Sequence, residues 1–453
     1  MSKLKFSVVG VGYLGAVHAT AMASIGFDVV GIDVDAAKIA SLLSGTPPFY
    51  EPGFNDLLAK TMDTGRLVWS NDIADVADCD VHFVCVGTPQ LPGSHGADLR
   101  YVNAAVSALI PHLKPGSFVA GKSTVPVGTA ARLSREIEKL WTGDGQTPLL
   151  LWNPEFLREG FAVEDTLRPD RIVIGIPGGE AGTLCEQAMR AVYVHMVTTG
   201  IPMIVTDLAT AELVKVAANA FLATKISFIN AMAEVCEAAG GDVTILADAI
   251  GYDARIGRRF LGAGVGFGGG CLPKDIRAFS ARAGELGVDQ ALVFLSAVDD
   301  INTRRRDRAI QTARSLAGGD FSGQRVTVLG AAFKPDSDDV RDSPALDIAA
   351  RIHNEGAIVV VHDPKALDNA ALRFPTLAYE PDLNAALAGA ELVLLLTEWK
   401  IYRELEPRRT AGMVSRAAIL DGRNVLDGKA WRAAGWTLRG MGREHGPPIR
   451  KPR

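Results

Sequence analysis

Cysteine is scarce in this chain. Its five cysteines, at positions 79, 85, 185, 236 and 271, are odd in number and irregularly spaced. That excludes a disulfide framework and points to a reducing compartment, the cytoplasm. A surplus of basic charge is missing too. The formal net charge of -5 offers no field for nucleic acid, so an anionic ligand must be met by local cations and helix N-termini. No uninterrupted apolar run approaches membrane-spanning length, and Met1-Ser2-Lys3-Leu4-Lys5 leads straight into a strand pattern without the apolar stretch of a secretory leader. The eight histidines form no i,i+4 pair and sit near no cysteine cluster, so no metal site is expected.

What is present is an ordinary globular composition, 48% hydrophobic and 22% charged, spread over 453 residues. That length exceeds one hydrophobic core and implies two or three domains. In residues 1–205, short β-branched runs (6–10, 29–33, 81–86, 118–122, 149–152 and 171–175) alternate with helical stretches, as in βαβ units of a mostly parallel sheet. From a helix cap at Thr206-Asp207 the chain runs to Ala239 without glycine or proline, predicting one very long helix followed by shorter ones to about 315. Val214, Ala218, Phe221, Phe228 and Val235 give that helix apolar residues on more than one side, as in a helix that spans domains or forms a dimer core. An α/β pattern restarts at 325–332 and continues through 358–362, 392–396 and 418–421, defining a third region over 316–440. Residues 441–453 lack periodicity and are expected to be disordered. The fold class is therefore α/β: two Rossmann-like, doubly wound parallel-sheet domains joined by a central helical domain.

Gly10-Val11-Gly12-Tyr13-Leu14-Gly15 follows a predicted strand and opens an alanine-rich helix. Gly10 permits the tight turn, Gly12 lets a pyrophosphate approach the backbone, and Gly15 lets helix and strand pack closely. Asp33 ends the next strand, where a carboxylate accepts both ribose hydroxyls and repels a 2′-phosphate, favouring NAD over NADP. Lys38, one turn further on, is either an adenosine-end contact or a solvated surface lysine. Val86-Gly87-Thr88-Pro89 and Ser123-Thr124-Val125-Pro126-Val127-Gly128 end later strands, where a doubly wound sheet places its ligand crevice.

Gly262-Ala-Gly264-Val-Gly266-Phe267-Gly268-Gly-Gly-Cys271-Leu-Pro273-Lys274-Asp275 is the most informative segment. Pro273 suits a first helical turn, which sets Cys271 at the positive end of a helix beside Lys274; both influences favour thiolate. Lys215 and Asn219 are i,i+4 on an otherwise apolar stretch, and buried there they can donate to a developing oxyanion. Glu155 and Glu159, just beyond a strand, are acid–base groups or solvated carboxylates; spacing does not choose. A dinucleotide site combined with an activated cysteine and a lysine points to a four-electron oxidation. A thiolate that adds to an aldehyde makes the tetrahedral carbon from which a second hydride can leave.

These segments, with Asn153–Gly160, Glu212–Asn219, Arg255-Ile-Gly257, Phe333-Lys334 through Arg341 to Pro344, and Asp421-Gly-Arg423-Asn424, resemble in this order the UDP-glucose/GDP-mannose dehydrogenase family, nearest its UDP-glucose-oxidising branch. The resemblance covers nearly the whole chain. It implies oxidation of UDP-glucose to UDP-glucuronate with NAD, through a thiohemiacetal and a thioester on Cys271. Lys215 and Asn219 are the implied oxyanion pair, Asp275 acts with Lys215 on water and protons, and Thr124 and Glu155 surround the reactive water. The resemblance favours Glu155 over Glu159 as acid–base group and puts Glu159 near the cofactor. Gly10, Val11, Gly12, Tyr13, Leu14, Gly15, Asp33, Lys38, Thr88, Thr124 and Arg341 match cofactor contacts. Glu155, Phe156, Leu157, Arg158, Lys215, Asn219, Arg255, Phe260, Gly262, Gly264, Gly266, Phe267, Gly268, Phe333, Lys334 and Arg423 match UDP-sugar contacts. In such enzymes the counterpart of Arg255 comes from the neighbouring subunit, implying a homodimer or higher oligomer built on the long helix.

Two departures stand out. Glycine precedes Cys271 where relatives often carry Ser or Tyr, and Phe260 replaces a Tyr found in some. Cys271-Leu-Pro-Lys-Asp argues against a UDP-N-acetylmannosamine substrate but is shared with the GDP-mannose branch. The competing readings are dehydrogenation of GDP-mannose or UDP-N-acetylmannosamine, a two-electron hydroxyacid dehydrogenase yielding one NADH, and a silent nucleotide-binding protein yielding none.

Overall fold

The computed structural model describes residues 4–443. The tail expected to be disordered lies outside them from residue 444 onward, whereas Met441 is buried and Arg443 Nε donates to Asp242 Oδ2 at 3.0 Å. Two compact units form: Met1–Ala218 with Ala278–Gly287, and Asn219–Arg277 with Val288–Arg453.

In the first unit, β1 (Lys5–Val9), β2 (Asp28–Ile32), β3 (Leu67–Ser70), β4 (Val81–Val84), β5 (Phe118–Gly121), β6 (Leu149–Trp152), β7 (Ile172–Ile176) and β8 (Met203–Asp207) form one sheet. Its order is β3-β2-β1-β4-β5-β6-β7-β8. It is parallel as far as β6; β7 meets β6 antiparallel, and β8 follows β7 in parallel. Side chains alternate between two cores, with Phe6, Val8 and Phe83 in one and Val9, Val30 and Val84 in the other. A sheet covered on both faces reads as continuous apolar strands, which is why the central strands were legible. Truncating a buried ring such as Phe83 to alanine would cost about 3–5 kcal/mol.

The second unit holds β9 (Arg325–Leu329), β10 (Ile358–His362), β11 (Ala378–Tyr379), β12 (Leu392–Leu395), β13 (Ala418–Asp421) and β14 (Thr437–Gly440). They order as β11-β10-β9-β12-β13-β14, all parallel. The sequence reading missed β3, β8, β11 and β14. Each is short and only half buried at or near a sheet edge, so its apolar signal is weak.

The long helix runs Leu208–Ala239, beginning in the first unit and ending in the second. Asp207 starts it: Oδ1 accepts from the Thr210 N–H at 2.8 Å and Oδ2 from the Thr210 hydroxyl at 2.7 Å. Gly240, at φ +78°, ends it. By length and composition this helix could cross a bilayer, which the sequence reading had excluded. Along it Glu212, Lys215, Asn219, Ser227 and Asn230 are buried while Phe221, Phe228 and Val235 are exposed, so its outward side is the apolar one.

Candidate functional site

In the first unit, the three glycines of the first turn meet three different demands. Gly10 has φ +90°, and a Cβ there would lie 2.7 Å from Val86. A Cβ on Gly15 would strike the Gly10 carbonyl at 1.9 Å, whereas around Gly12 nothing lies within 4 Å. Only Gly12 therefore leaves open space, at the start of the helix Tyr13–Ser24, which has no side-chain cap. The free amides and dipole of such a terminus suit a phosphate. Asp33 holds this loop in shape, with Oδ2 accepting from the Val11 N–H at 3.0 Å and from Lys38 Nζ at 2.9 Å. Val86 and Thr88 lie beyond β4, across the switch point from β1. Thr88 donates to the Thr124 carbonyl at 2.7 Å and Ser123 to the Val86 carbonyl at 2.7 Å, tying two strand-end loops together.

Glu155 accepts from the Leu157 N–H at 2.7 Å through Oε2 and meets Lys215 Nζ at 3.1 Å through Oε1. The Lys215 ammonium also lies 5.5 Å from the Phe156 ring centre, whose nearer cation is Arg171 at 3.9 Å. Arg158 forms a two-pronged pair with Asp165 at 2.8 and 2.6 Å, which raises its pKa. Glu159 acts on Tyr13, since its charge helps to push the phenol upward.

In the second unit, Cys271 is exposed immediately before the helix Leu272–Glu285, and its carbonyl accepts the first helical bond, from the Asp275 N–H at 2.9 Å. Asp275 is buried and accepts from Asn219 Nδ2 and Lys274 Nζ, each at 2.6 Å. Lys274 is thus spent on a carboxylate rather than on the thiol alone. Lys215 and Asn219, one helical turn apart, each face a different carboxylate.

The glycine run before Cys271 is shaped by close protein packing. Cβ atoms would meet the Gly422 carbonyl from Gly264, Asn302 from Gly266, the Asp342 carbonyl from Gly268, the Phe333 ring from Gly269 and the Arg341 guanidinium from Gly270. Gly262 alone has open space. Asn302 clamps Phe267 through both its N–H at 2.7 Å and its carbonyl at 3.0 Å. Asn230 accepts from the Gly264 N–H at 2.9 Å, and the buried Arg305 donates to the Gly264 carbonyl at 3.0 Å. Arg423 donates to the carbonyls of Leu396, Gly266 and Phe333 at 2.7, 3.2 and 3.2 Å, tying three loops. Lys334 Nζ sits 5.3 Å from the Phe333 ring centre, and Arg341 pairs with Asp339 at 2.7 Å. Phe260 adopts φ +65°, a strained conformation for a non-glycine residue, and Arg255 projects outward, 88% exposed at its side chain, paired with Asp253.

The supporting residues were missed from sequence. Lys122 Nζ donates to Asn153 Oδ1 at 3.0 Å, and the Tyr193 hydroxyl donates to the same oxygen at 2.5 Å, anchoring the front of the Glu155 loop. Glu212, buried, accepts from the Gly128 and Ala130 N–H groups at 2.7 and 2.6 Å, fixing the loop that follows Thr124. Glu51 fixes the loop after Glu159 in the same way. Nothing in their spacing signals these roles, because their partners are distant in sequence. Among the described residues no group of three His, Cys, Asp or Glu could hold a metal ion.

Residues 4–197 match the NAD binding domain of the UDP-glucose/GDP-mannose dehydrogenase family, 209–304 its central domain and 327–428 its UDP binding domain. UDP-glucose 6-dehydrogenase TuaD of Bacillus subtilis is 40% identical over 97% of this chain and 93% of its own length. The structure of a UDP-glucose dehydrogenase from the archaeon Pyrobaculum islandicum superposes with a TM-score of 0.88 at 37% identity, covering 98% of both chains. That of a UDP-D-ManNAc dehydrogenase from Pyrococcus horikoshii does so at 0.84 and 27%, covering 97% of this chain and 99% of that one.

Proposed function

Because the chain belongs to the UDP-glucose/GDP-mannose dehydrogenase family, we propose that it oxidises the C6 alcohol of UDP-glucose to the carboxylate of UDP-glucuronate with NAD. It is an NAD-dependent oxidoreductase. The observation that carries the mechanism is Cys271: an exposed thiol at a helix N-terminus, its carbonyl bonded to the N–H of Asp275, the buried carboxylate that Asn219 and Lys274 share.

NAD fits the first unit through the open space at Gly12, the uncapped helix start and the Asp33 carboxylate, and Thr88, Thr124, Glu159 and Arg341 are the further residues assigned to it. Bound there, it supplies the hydride acceptor for both oxidations. The chain's own groups do the rest. Glu155, paired with Lys215, takes the proton of the C6 hydroxyl. Cys271 Sγ adds to the aldehyde carbon, and Lys215 and Asn219 donate to the oxyanion of the resulting thiohemiacetal. Once a second hydride has left C6, a thioester remains on the sulfur. Water activated among Thr124, Glu155 and Asp275 attacks its carbonyl, the C–S bond breaks and the thiolate returns. One water is consumed per sugar, with release of two hydrides and three protons. UDP-sugar recognition falls to Phe156, Leu157 and Arg158, to 260–268, and to Phe333, Lys334 and Arg423.

Three further readings belong to this proposal. The three family matches support domain divisions near 205 and 315. The exposed Phe221, Phe228 and Val235, spaced by seven on one helix, suit a seam between two copies, with Arg255 presented to the neighbour. The five free cysteines suit a reducing cytoplasm. The decisive test measures NADH formation from UDP-glucose, UDP-galactose, UDP-N-acetylmannosamine and GDP-mannose. Two NADH per UDP-glucose are expected, activity with GDP-mannose alone would overturn the sugar assignment, and one NADH per sugar would overturn the mechanism.

A further inference from the structure

Glu51 lies in the connection ahead of the helix Phe54–Met62, remote in sequence from every group assigned a chemical role. It is 2% exposed, yet it is a carboxylate with four donors around it. Oε1 accepts from the Ala162 N–H at 2.7 Å; Oε2 accepts from the Gly160 N–H at 2.7 Å and from the Tyr13 hydroxyl. The Val163 N–H also serves it. Gly160 and Ala162 close the loop that carries Glu155 and Glu159 and open the helix Ala162–Leu167, while Tyr13 belongs to the dinucleotide turn. The Gly160 N–H in addition lies 3.1 Å from the Tyr13 hydroxyl. A single buried carboxylate therefore joins the acid–base loop to the cofactor loop within the first unit.

We propose that Glu51 is a positioning residue: it sets the Glu155–Glu159 loop in register with the dinucleotide turn, acting through Tyr13 and the Gly160 and Ala162 amides. This rests on the proposed function. Its physical basis is that three amides and one hydroxyl aimed at one carboxylate leave the loop a single low-energy setting. The far end of the same loop is held independently by Lys122, Tyr193 and Asn153. Releasing the Glu51 end would let Glu155 swing about a fixed Asn153.

The test uses the full chain carrying Glu51→Gln, Glu51→Asp or Tyr13→Phe. Glutamine places an NH2 against an N–H donor, aspartate falls one methylene short, and phenylalanine removes only the bridging hydroxyl. Glu51→Gln is expected to lower kcat with UDP-glucose at least ~10-fold, because small misplacements of an acid–base group are costly. It is also expected to move the kcat–pH profile, since Lys215 meets Glu155 differently once the loop shifts. A loss of active fraction would scale kcat and leave the profile in place, and that result overturns the inference. Should Glu51→Gln fail to fold, Tyr13→Phe decides, with the profile again expected to move. If the wild-type chain turned over none of the sugar nucleotides, the proposed function would fail. Hydrogen exchange at the Gly160 and Ala162 amides would then test the clamp alone, and unchanged protection in the variants would overturn it.

Discussion

Strands β3-β2-β1-β4-β5-β6 of the first unit and β11-β10-β9-β12-β13-β14 of the second trace one topology, and the first turn of each is tied alike. The Gly10 N–H donates to the Ile32 carbonyl at 2.7 Å and the Gly330 N–H to that of His362 at 2.8 Å. In both, an aspartate ends the second strand and accepts from the turn. What differs is how much of the carboxylate remains for a ligand. Asp33 takes the Val11 N–H, the Asp35 N–H and a flexible lysine. Asp363 takes the Ala331, Ala332, Lys365 and Ala366 N–H groups and the Trp399 indole. Where the first turn has Gly12 with open space, the second has Ala332, fully buried. The helix after the first turn begins at Tyr13, but the next helix after Gly330 begins only at Pro344. Shared topology therefore does not make a second dinucleotide site; the second carboxylate is structural.

The proposed nucleophile, Cys271, belongs to the second unit, and the proposed ribose carboxylate, Asp33, to the first. Cys271→Ser should cut uronic acid formation by at least ~10³-fold, measured by chromatography of the product. Native alkylation should label Cys271 while sparing Cys79, Cys85 and Cys185, whose burial pushes their pKa values to about 11, 12 and 12. A serine variant making acid at full speed would break the scheme. Next in size, Asp33→Asn should weaken NAD binding ~10-fold by calorimetry and relax discrimination against NADP, as expected for loss of a charged acceptor. Asp363→Asn should leave NAD binding unchanged but lower stability by about 2–4 kcal/mol in urea unfolding. If Asp363→Asn altered cofactor preference, the contrast between the turns would collapse.

The smallest effect concerns one registered pair. Ser7 faces His82 across β1 and β4, whereas its counterpart Thr327 faces Val393 across β9 and β12. Burial lowers His82 to about 3 from 6.5, so the folded chain holds the ring neutral while the unfolded chain takes up a proton. Its contribution to stability is whole above 6.5 and is lost as pH falls from there toward 3, about 2 kcal/mol by pH 5. His82→Val, copying the second sheet, should flatten the acid limb of a Tm–pH curve; an equal slope would remove this distinction.

Local pattern alone determined the strands of both sheet centres, the Gly10–Gly15 turn, the long helix and the placing of Cys271 before a helix. Those features rest on backbone preferences and periodicities within a few residues, which spacing records. Tertiary structure decided that Lys215 meets Glu155, that Asn219 and Lys274 share Asp275, that Glu51 and Glu212 hold two loops, and that the glycines before Cys271 make room mainly for protein. It also decided that Asp33 stays available while Asp363 is consumed. Each of these is a buried polar group that must find its partner, and the fold, through contacts as distant in sequence as Glu51 and Ala162, supplies it.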